Sequence, residues 1–466
     1  MIRANTLVLA GADFQHLQGH LFPGDGLEAA AILVCSRVTN EGVKLLVKEV
    51  VTVPHAECER SSRRLTWPGD YIDKAIGIAD QEDLSLVFIH SHPNGYEDFS
   101  DLDDESDREI IPPVFASRRR SHPGTIVHGS AIMLPSGAIR ARLYGGNGRS
   151  EPETVNLVAI YGSDVYFFWD DQPLTANRPL AFSSQMTAEL GRLSAAVIGV
   201  SGTGSIVAEQ LLRMGMGQLI LVDSDHVEPK NLNRILNTTP DHARNGDLKV
   251  EAFRSAASLI SPDTDIIAVP RDIGCRIAVE AVAQADLVFS CVDSEEGRHV
   301  ADRIARAMLQ PLFDVGVTIP VRKPGGKTKI ASIAGRVDYV YPGSPTLLDR
   351  EVYSAAGLRA EDLRKRDTAA YEQQVQEGYM PGANEEAPSV ICVNMRGASA
   401  VVLEAVARLY HYRADANEGF NRSEFDLVVS EDTEESFRDL TTSEMLPLAY
   451  GLRKPLLGMP ALEDEA

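Results

Sequence analysis

AAVIGVSGTGSIVAEQLLRMGMGQLILVD, Ala195 to Asp223, decides the fold. Ala195 to Gly199 is a short apolar run ending in glycine, as a buried strand would be. Gly204 to Met214 then places Ile206, Val207, Leu211 and Leu212 at helical spacing, and Gln218 to Asp223 is a second strand. Strand, glycine turn, helix and strand make a βαβ unit, which belongs in a parallel sheet. Gly199, Gly202 and Gly204 fall in the turn, where missing side chains let the backbone approach phosphates and the helix N-terminus favours their charge. Asp223, about 20 residues on at the end of the second strand, suits an acid that holds ribose hydroxyls. NAD and ATP fit these features equally well, so the turn alone leaves the nucleotide open.

Downstream the alternation continues. Leu248 to Ile260 is an amphipathic helix, Leu287 to Val292 a buried strand that leads into another helix, and Ala398 to Tyr410 a strong last helix. The class is therefore α/β, with a parallel sheet covered by helices on both faces. Residues 322–391 read as an excursion rich in glycine, proline and charge. Upstream, short β-like runs recur to about Tyr144 (Ala31 to Cys35, Leu45 to Val53, Leu84 to Ile89, Ala131 to Leu134, Ala138 to Leu143). The break Gly145 to Glu153 suggests a division into residues 1–145, a connecting segment 146–186, a domain 187–430 and a tail 431–466.

A chain of 466 residues is too long for one ordinary core. Its formal charge of −22 disfavours phosphate backbones as partners, which argues against nucleic acid. Five scattered cysteines form no CxxC pair, which suits a reducing compartment. No apolar run approaches the roughly 20 residues that span a bilayer, so the expectation is a soluble, cytoplasmic protein without membrane contact.

The densest chemical signal lies upstream, in His90-Ser91-His92-Pro93 with Ser100 and Asp103 beyond it. An extended chain repeats every two residues, so His90 and His92 point to one side, as two ligands of one ion require. Pro93 ends the strand, and Asp103 can return a carboxylate as the third ligand. Two imidazoles, a carboxylate and a water describe an open, hydrolytic zinc site. Zinc lowers the pKa of its water to about 7, and a base must take the proton. Glu28, which opens an apolar strand, is the candidate base, with Glu49 as the alternative. Ser100 can donate to an oxyanion. The acidic run Glu97 to Glu109 otherwise reads as a solvated loop.

These five residues resemble the JAMM (MPN+) metalloprotease family, whose pattern is Glu, then HxHP, then Ser and Asp at fixed spacing. The resemblance covers about residues 5 to 145. It implies a mixed α/β, cytidine-deaminase-like domain that cuts peptide or isopeptide bonds to ubiquitin-like proteins. His90, His92 and Asp103 would bind zinc, Glu28 would be the base and Ser100 the oxyanion donor.

VDSDHVEPKNLNR, Val222 to Arg234, resembles the signature of the family of ubiquitin-activating enzymes and the ThiF and MoeB adenylyltransferases. That resemblance runs from about Thr187 to Gly316, with traces to Val406 that include PSVICVN, Pro388 to Asn394. It implies a Rossmann-like domain that adenylates the terminal glycine carboxylate of a ubiquitin-like β-grasp protein with ATP and Mg²⁺. By motif, Asp223 would bind ribose, Asn231, Arg234 and Lys249 the triphosphate, and Asp293 magnesium. Asn231 as a turn cap and Lys249 as an exposed helix lysine are the alternatives. Charge argues the same way: carboxylate attack on the α-phosphate gathers negative charge, which Arg, Lys and Mg²⁺ offset. Arg298 and Asp225 read as structural.

The chain departs from that family's pattern at Ser201, in place of a second glycine, and in lacking any cysteine between Phe313 and Ile391. Cys392 has apolar flanks and is expected to be buried packing. Hand-over to a thiol on a separate conjugating-enzyme-like protein is therefore expected, and the family's habit implies a homodimer through the adenylation domain. The combined expectation is one enzyme that both trims and activates a ubiquitin-like protein. Fusions of this kind resemble those in bacterial conjugation systems, and antiviral defence is an analogy from there. Sulfur-carrier activation, a catalytically dead binding scaffold and NAD-dependent oxidoreduction are the competing readings.

Overall fold

The computed structural model describes residues 5–39, 42–121, 126–322, 329–376, 389–443 and 445–463. Residues up to Arg178, with Ala307–Leu309 and Pro447–Arg453, cluster as one compact unit. Pro179–Arg306, Gln310–Leu446 and the stretch from Lys454 onward form a second.

In chain order the first unit runs β1 (Thr6–Ala10), α1 (Gly11–Leu21), β2 (Ala30–Thr39), β3 (Val43–Thr52), the hairpin β4 (Glu59–Arg60) and β5 (Leu65–Thr66), and α2 (Asp70–Glu82). It continues with β6 (Ser85–Ser91), α3 (Asp101–Ser121), β7 (His128–Met133), β8 (Ile139–Tyr144), β9 (Glu153–Thr154), β10 (Leu157–Tyr161) and β11 (Val165–Trp169). Among the described residues these strands form a nine-stranded sheet ordered β11-β10-β1-β3-β2-β6-β7-β8-β9. Both faces are covered. Leu17 and Leu21 of α1 pack with Leu33, Val47, Val87 and Met133 on one side. Ala75 and Ala79 of α2 and Ile111 and Phe115 of α3 pack with Ile32, Val34 and Leu86 on the other. Alternation along one strand explains the split, since Ile32 and Leu33 point to opposite faces.

Two stretches differ from expectation here. The connecting segment 146–186 supplies β10 and β11 to this sheet, with β10 running parallel beside β1. Its aromatic cluster Tyr166–Trp169 is the edge strand β11, antiparallel to β10. The acidic run 97–109 is helix α3 from Asp101 onward, not a loop. Asp101, Asp103 and Asp104 stand in its first turn, where negative charge favours a helix start.

The second unit runs α4 (Ser184–Leu190), β12 (Ser194–Ile198), α5 (Gly204–Arg213), β13 (Gln218–Val222), α6 (Pro240–Asn245), α7 (Lys249–Ile260), β14 (Asp265–Val269), α8 (Arg276–Val282), β15 (Leu287–Ser290) and α9 (Glu295–Ala307). There follow β16 (Leu312–Thr318), the hairpin β17 (Val321–Arg322) and β18 (Lys329–Ile330), β19 (Ala334–Val340), α10 (Ala355–Arg366), α11 (Thr368–Gln376), α12 (Ile391–Tyr410), β20 (Arg422–Asp426) and β21 (Glu431–Glu435). The described residues form an eight-stranded sheet, β14-β13-β12-β15-β16-β19-β20-β21. Strands β14 to β16 pair in parallel, and β19 to β21 continue the sheet antiparallel. The expected α/β class holds, but the excursion 322–391 contributes the interior strand β19, and the expected tail contributes β21. Residues 377–388, which include Pro388 of the PSVICVN stretch, and the last three residues lie outside the described residues. Among the described residues no helix is long and apolar enough to cross a membrane.

Candidate functional sites

In the first unit, β2 and β6 pair antiparallel with Ala30 opposite His90. Ser91 N–H donates to Ala29 O at 3.0 Å, and Ala29 N–H to Ser91 Oγ at 2.9 Å. Continued one step, this register would set Glu28, just ahead of β2, across from His92, just past β6, and Glu28 lies within electrostatic reach of both imidazoles. Facing residues of antiparallel strands share a face, so Glu28, His90 and His92 are drawn to one side of the sheet end. Glu49, the alternative base, is exposed on β3 opposite Val34.

The third donor arrives on α3. Asp104 N–H donates to Ser100 O at 3.1 Å, the first helical bond, so Ser100 is the N-cap. Ser100 and Asp103 bond reciprocally: Ser100 N–H and Oγ–H donate to Asp103 Oδ2 at 2.6 and 2.8 Å, and Asp103 N–H donates to Ser100 Oγ at 3.3 Å. This capping box turns the carboxylate toward the imidazoles. His90 Nε2 is 2.9 Å from Asp103 Oδ1, His92 Nε2 is 3.5 Å from Asp103 Oδ2, and the two Nε2 atoms are 3.0 Å apart. Among the described residues this is the group of three whose donor atoms converge as metal ligands do.

The geometry fits zinc. Tetrahedral bonds of about 2.0–2.1 Å separate neighbouring donors by roughly 3.3 Å, within the range found here. His92 Nδ1–H donates to Tyr96 O at 2.9 Å, which fixes the tautomer and leaves Nε2 a lone pair for an ion. Burial pushes the Asp103 carboxyl up, but hydrogen bonds from His90 and His92 outweigh it and hold Asp103 well below the usual range. Burial likewise pushes His92 down, while its bond to Asp103 carries it net upward. Glu28 is 8% exposed, and burial raises its pKa against the opposing pull of His90 and His92. A carboxylate so placed holds a proton more readily than a solvated one, as a general base must. The Ser100 hydroxyl proton is directed at Asp103, so donation to an oxyanion requires it to turn.

In the second unit the glycine turn closes as its sequence dictates. Gly199 has φ +85°, and Gly204 has no room for a side chain because a methyl there would overlap Gly199 O. Asp223 at the end of β13 braces the turn: its carboxylate accepts from Val200 N–H at 2.7 Å and Asp225 N–H at 2.9 Å, and burial raises its pKa. Arg234 lays its stem against Gly202, and its Nη1 donates to Lys230 O at 2.8 Å and Asn233 Oδ1 at 3.1 Å. Lys249 opens α7 with its side chain 5% exposed. Its Nζ is 2.6 Å from Asp225 Oδ2 and 3.8 Å from Asp223 Oδ1. Lys249 is thus a buried, paired lysine, not an exposed one. Asn231 is buried and accepts from Glu228 N–H at 2.9 Å, capping the turn Pro229–Asn231. Asp293 is exposed just past β15, where Cys291 runs against Gly199. Arg298 holds that bend through Val292 O at 2.8 Å.

Two features escaped the sequence reading. Asn394, on the first turn of α12, presses its amide on Gly202, and Asn233 Nδ2 donates to Ser389 O at 3.3 Å. The PSVICVN stretch flagged this region, but nothing local marks Asn394. The second is a correction: Cys392 is exposed, not buried packing. It is the second residue of α12, and the helix turns its neighbour Val393 inward instead.

Comparison with known proteins agrees with this anatomy. The ThiF family model matches residues 176–423, more than half of the chain, and the model for prokaryotic homologs of the JAB domain matches residues 13–135. Curated relatives include ubiquitin-like modifier-activating enzyme 5 of Culex quinquefasciatus, 32% identical over 33% of this chain and 38% of that protein. The same enzyme of Aedes aegypti is 33% identical over 32% of this chain and 37% of that protein. The chain thus spans well under half the length of these relatives. Solved structures of E. coli MccB are also similar, one with MccA-N7isoASN at TM-score 0.43 and 15% identity, covering 57% of this chain and 69% of that chain. One with ATP has TM-score 0.41 and 15% identity, over 56% of this chain and 68% of that chain.

Proposed function

The chain belongs to the ThiF family and carries a JAB-type domain ahead of it, and from that premise we propose one bifunctional enzyme acting twice on one substrate. It adenylates the C-terminal glycine of a ubiquitin-like β-grasp protein, and it cleaves the peptide or isopeptide bond made by that same terminus. One observation carries the reading: a single chain holds both a converging His90–His92–Asp103 donor set and a glycine turn flanked by Arg234 and Lys249. We assign cleavage to the domain before about residue 145 and activation to residues 187–430.

In activation, the substrate carboxylate attacks the α-phosphorus of ATP, an oxygen–phosphorus bond forms, and pyrophosphate leaves. Gly199, Gly202 and Gly204 open the backbone to the phosphates, and Asp223 meets the ribose. Asn231, Arg234 and Lys249 offset the triphosphate charge, and Asp293 would hold Mg²⁺. A thiol on a separate conjugating-enzyme-like protein then attacks the acyl carbon, forming a thioester and releasing AMP. In cleavage, His90, His92 and Asp103 would hold zinc, which supplies Lewis-acid polarisation of the scissile carbonyl and a more acidic water. Glu28 takes the proton of the attacking water and returns it to the leaving amine. Ser100, once turned, donates to the oxyanion. A cytoplasmic homodimer joined through the adenylation domain completes the proposal.

The test is incubation of the full chain with ATP, Mg²⁺ and a tail-extended ubiquitin-like β-grasp protein, read by mass. The reading requires both a trimmed tail and an ATP-dependent adenylate on the trimmed product, formed with release of pyrophosphate. Neither product, with no zinc bound, would leave only a binding scaffold.

A further inference from the structure

His90 stands on β6 and His92 just past its end, the carboxylate rides on α3, and the loop between them (93–99) is mostly exposed. It is tied down at Tyr96 by His92 and at Glu97 by Leu174 N–H and the Thr175 hydroxyl, but none of these bonds reaches the Ser100–Asp103 turn. We propose that Arg142 is the positioning residue that sets Asp103 against His90 and His92. This rests on the metal reading above.

Arg142 stands on β8 directly opposite Ser130 of β7. Strand β7 in turn pairs in parallel with β6, with Ser130 beside Phe88 and Ile132 beside His90. From this rigid base the guanidinium reaches across to α3. Its Nη1 is 2.6 Å from Asp104 Oδ1, and its Nη2 and Nε are 2.7 and 3.0 Å from Asp107 Oδ2. Its plane also covers Phe99, 3.9 Å from the ring centroid. Phe99 precedes the Ser100–Asp103 capping box and Asp104 follows it. Arg142 therefore grips the donor-bearing turn from both sides without touching a donor atom.

The grip is built for arginine. Asp107 is buried, and its Oδ2 also accepts from Tyr144 OH at 2.8 Å and from the Ser130 hydroxyl. A buried carboxylate is tolerated only when paired and hydrogen-bonded. A planar fork that bonds two carboxylates while stacking on a ring is beyond a lysine. The contacts close a ring: β6 to β7 by backbone pairing, β7 to β8 likewise, β8 to α3 through Arg142, and α3 back to His90 through Asp103. Ile111 and Phe115 seat the body of α3 in the core, so opening the ring at Arg142 loosens only the first turn that carries Asp103 and leaves the imidazoles in place.

The experiment compares the full-length wild type with Arg142→Gln, Arg142→Lys and Asp104→Asn. Zinc affinity is measured by chelator competition, Co²⁺-loaded protein by visible absorption, and apo stability by thermal melting. Arg142→Gln should lower zinc affinity up to about 10-fold, the low end of what losing an outer partner of a ligand costs, because Arg142 acts through the turn and not on the ligand itself. Its Co²⁺ spectrum should change as the carboxylate drops out. Arg142→Lys should recover apo stability but not affinity, which a purely structural arginine would not do. Asp104→Asn, at a half-exposed position, should give a smaller loss in the same direction even if Arg142→Gln fails to fold. Wild type that binds zinc, with variants that bind it as tightly and share its Co²⁺ spectrum, overturns the inference alone. An affinity loss that merely tracks the melting temperature overturns it too. Wild type that takes up no metal overturns the metal reading and this inference together.

Discussion

Gly202 and Asn394, 192 positions apart in the sequence, are in contact: a methyl group at 202 would overlap the Asn394 amide and crowd Arg234 Cδ at 3.1 Å. The glycine turn is thus closed by the first turn of α12. Gly202→Ala must turn the Asn394 amide aside and press on the Arg234 stem, and both side chains flank the phosphate path proposed above. ATP affinity should fall tenfold or more, roughly 1.4 kcal/mol per decade, by calorimetry on the full chain. Gly19→Ala, in open space on α1, is the control and should be neutral or slightly stabilising. Equal ATP affinity in both variants would show that the contact carries no load in binding.

The two chemistries should separate by mutation. Asp103→Ala removes the third donor and should abolish zinc uptake and cleavage while pyrophosphate exchange persists. Arg234→Ala should do the reverse. Glu28→Gln should keep the metal and lose cleavage by about 10²- to 10⁴-fold, the usual worth of a general base. Loss of both activities from either single change would contradict independent sites.

His128 of β7 is fully buried, accepts Leu86 N–H at 3.0 Å and meets Phe115 edge-on. Burial first, then Arg118 and Arg37, push its pKa down to about 3. Unfolded, a histidine titrates near 6.5, so between about pH 6.5 and 3 the unfolded chain binds the extra proton. The stabilisation is present in full above 6.5 and is lost as pH falls, by about 1.4 kcal/mol per unit. His128→Asn removes that titration. Melting with chelator present should show the stability gap between wild type and variant narrowing from pH 6.5 to 4.5. Parallel curves would contradict a neutral buried imidazole.

Cys392 should be the first thiol alkylated in the native protein, because it is exposed while Cys35 and Cys275 are buried and Cys58 and Cys291 are partly buried. Cys392→Ser should leave ATP–pyrophosphate exchange unchanged, since adenylation precedes any thiol chemistry. A thioester to this chain that survives in Cys392→Ser but needs ATP would point to another acceptor; one that vanishes would contradict hand-over to a separate protein.

Much was legible because local rules carried it. The extended chain at the end of β6 had to place His90 and His92 on one side, and the turn from Gly199 to Gly204 had to be tight, whatever the rest of the chain does. The acidic run 97–109 misled because its charge reads as solvation, while Ser100 and Asp103 cap a helix that packs Ile111 and Phe115 inward. Cys392 misled because apolar neighbours predict burial in a strand, whereas a helix separates Cys392 from Val393 by about 100°.

Residue order by itself determined the α/β class, the donor types at positions 90, 92 and 103, and the glycine turn with Asp223 after it, since each depends on backbone geometry over a few residues. Only the tertiary structure decided what presses on Gly202, where Lys249 points, and how Arg142 grips the helix carrying Asp103. Those contacts join strands and helices remote along the chain, and their partners are selected by sheet order and packing, which no short window encodes.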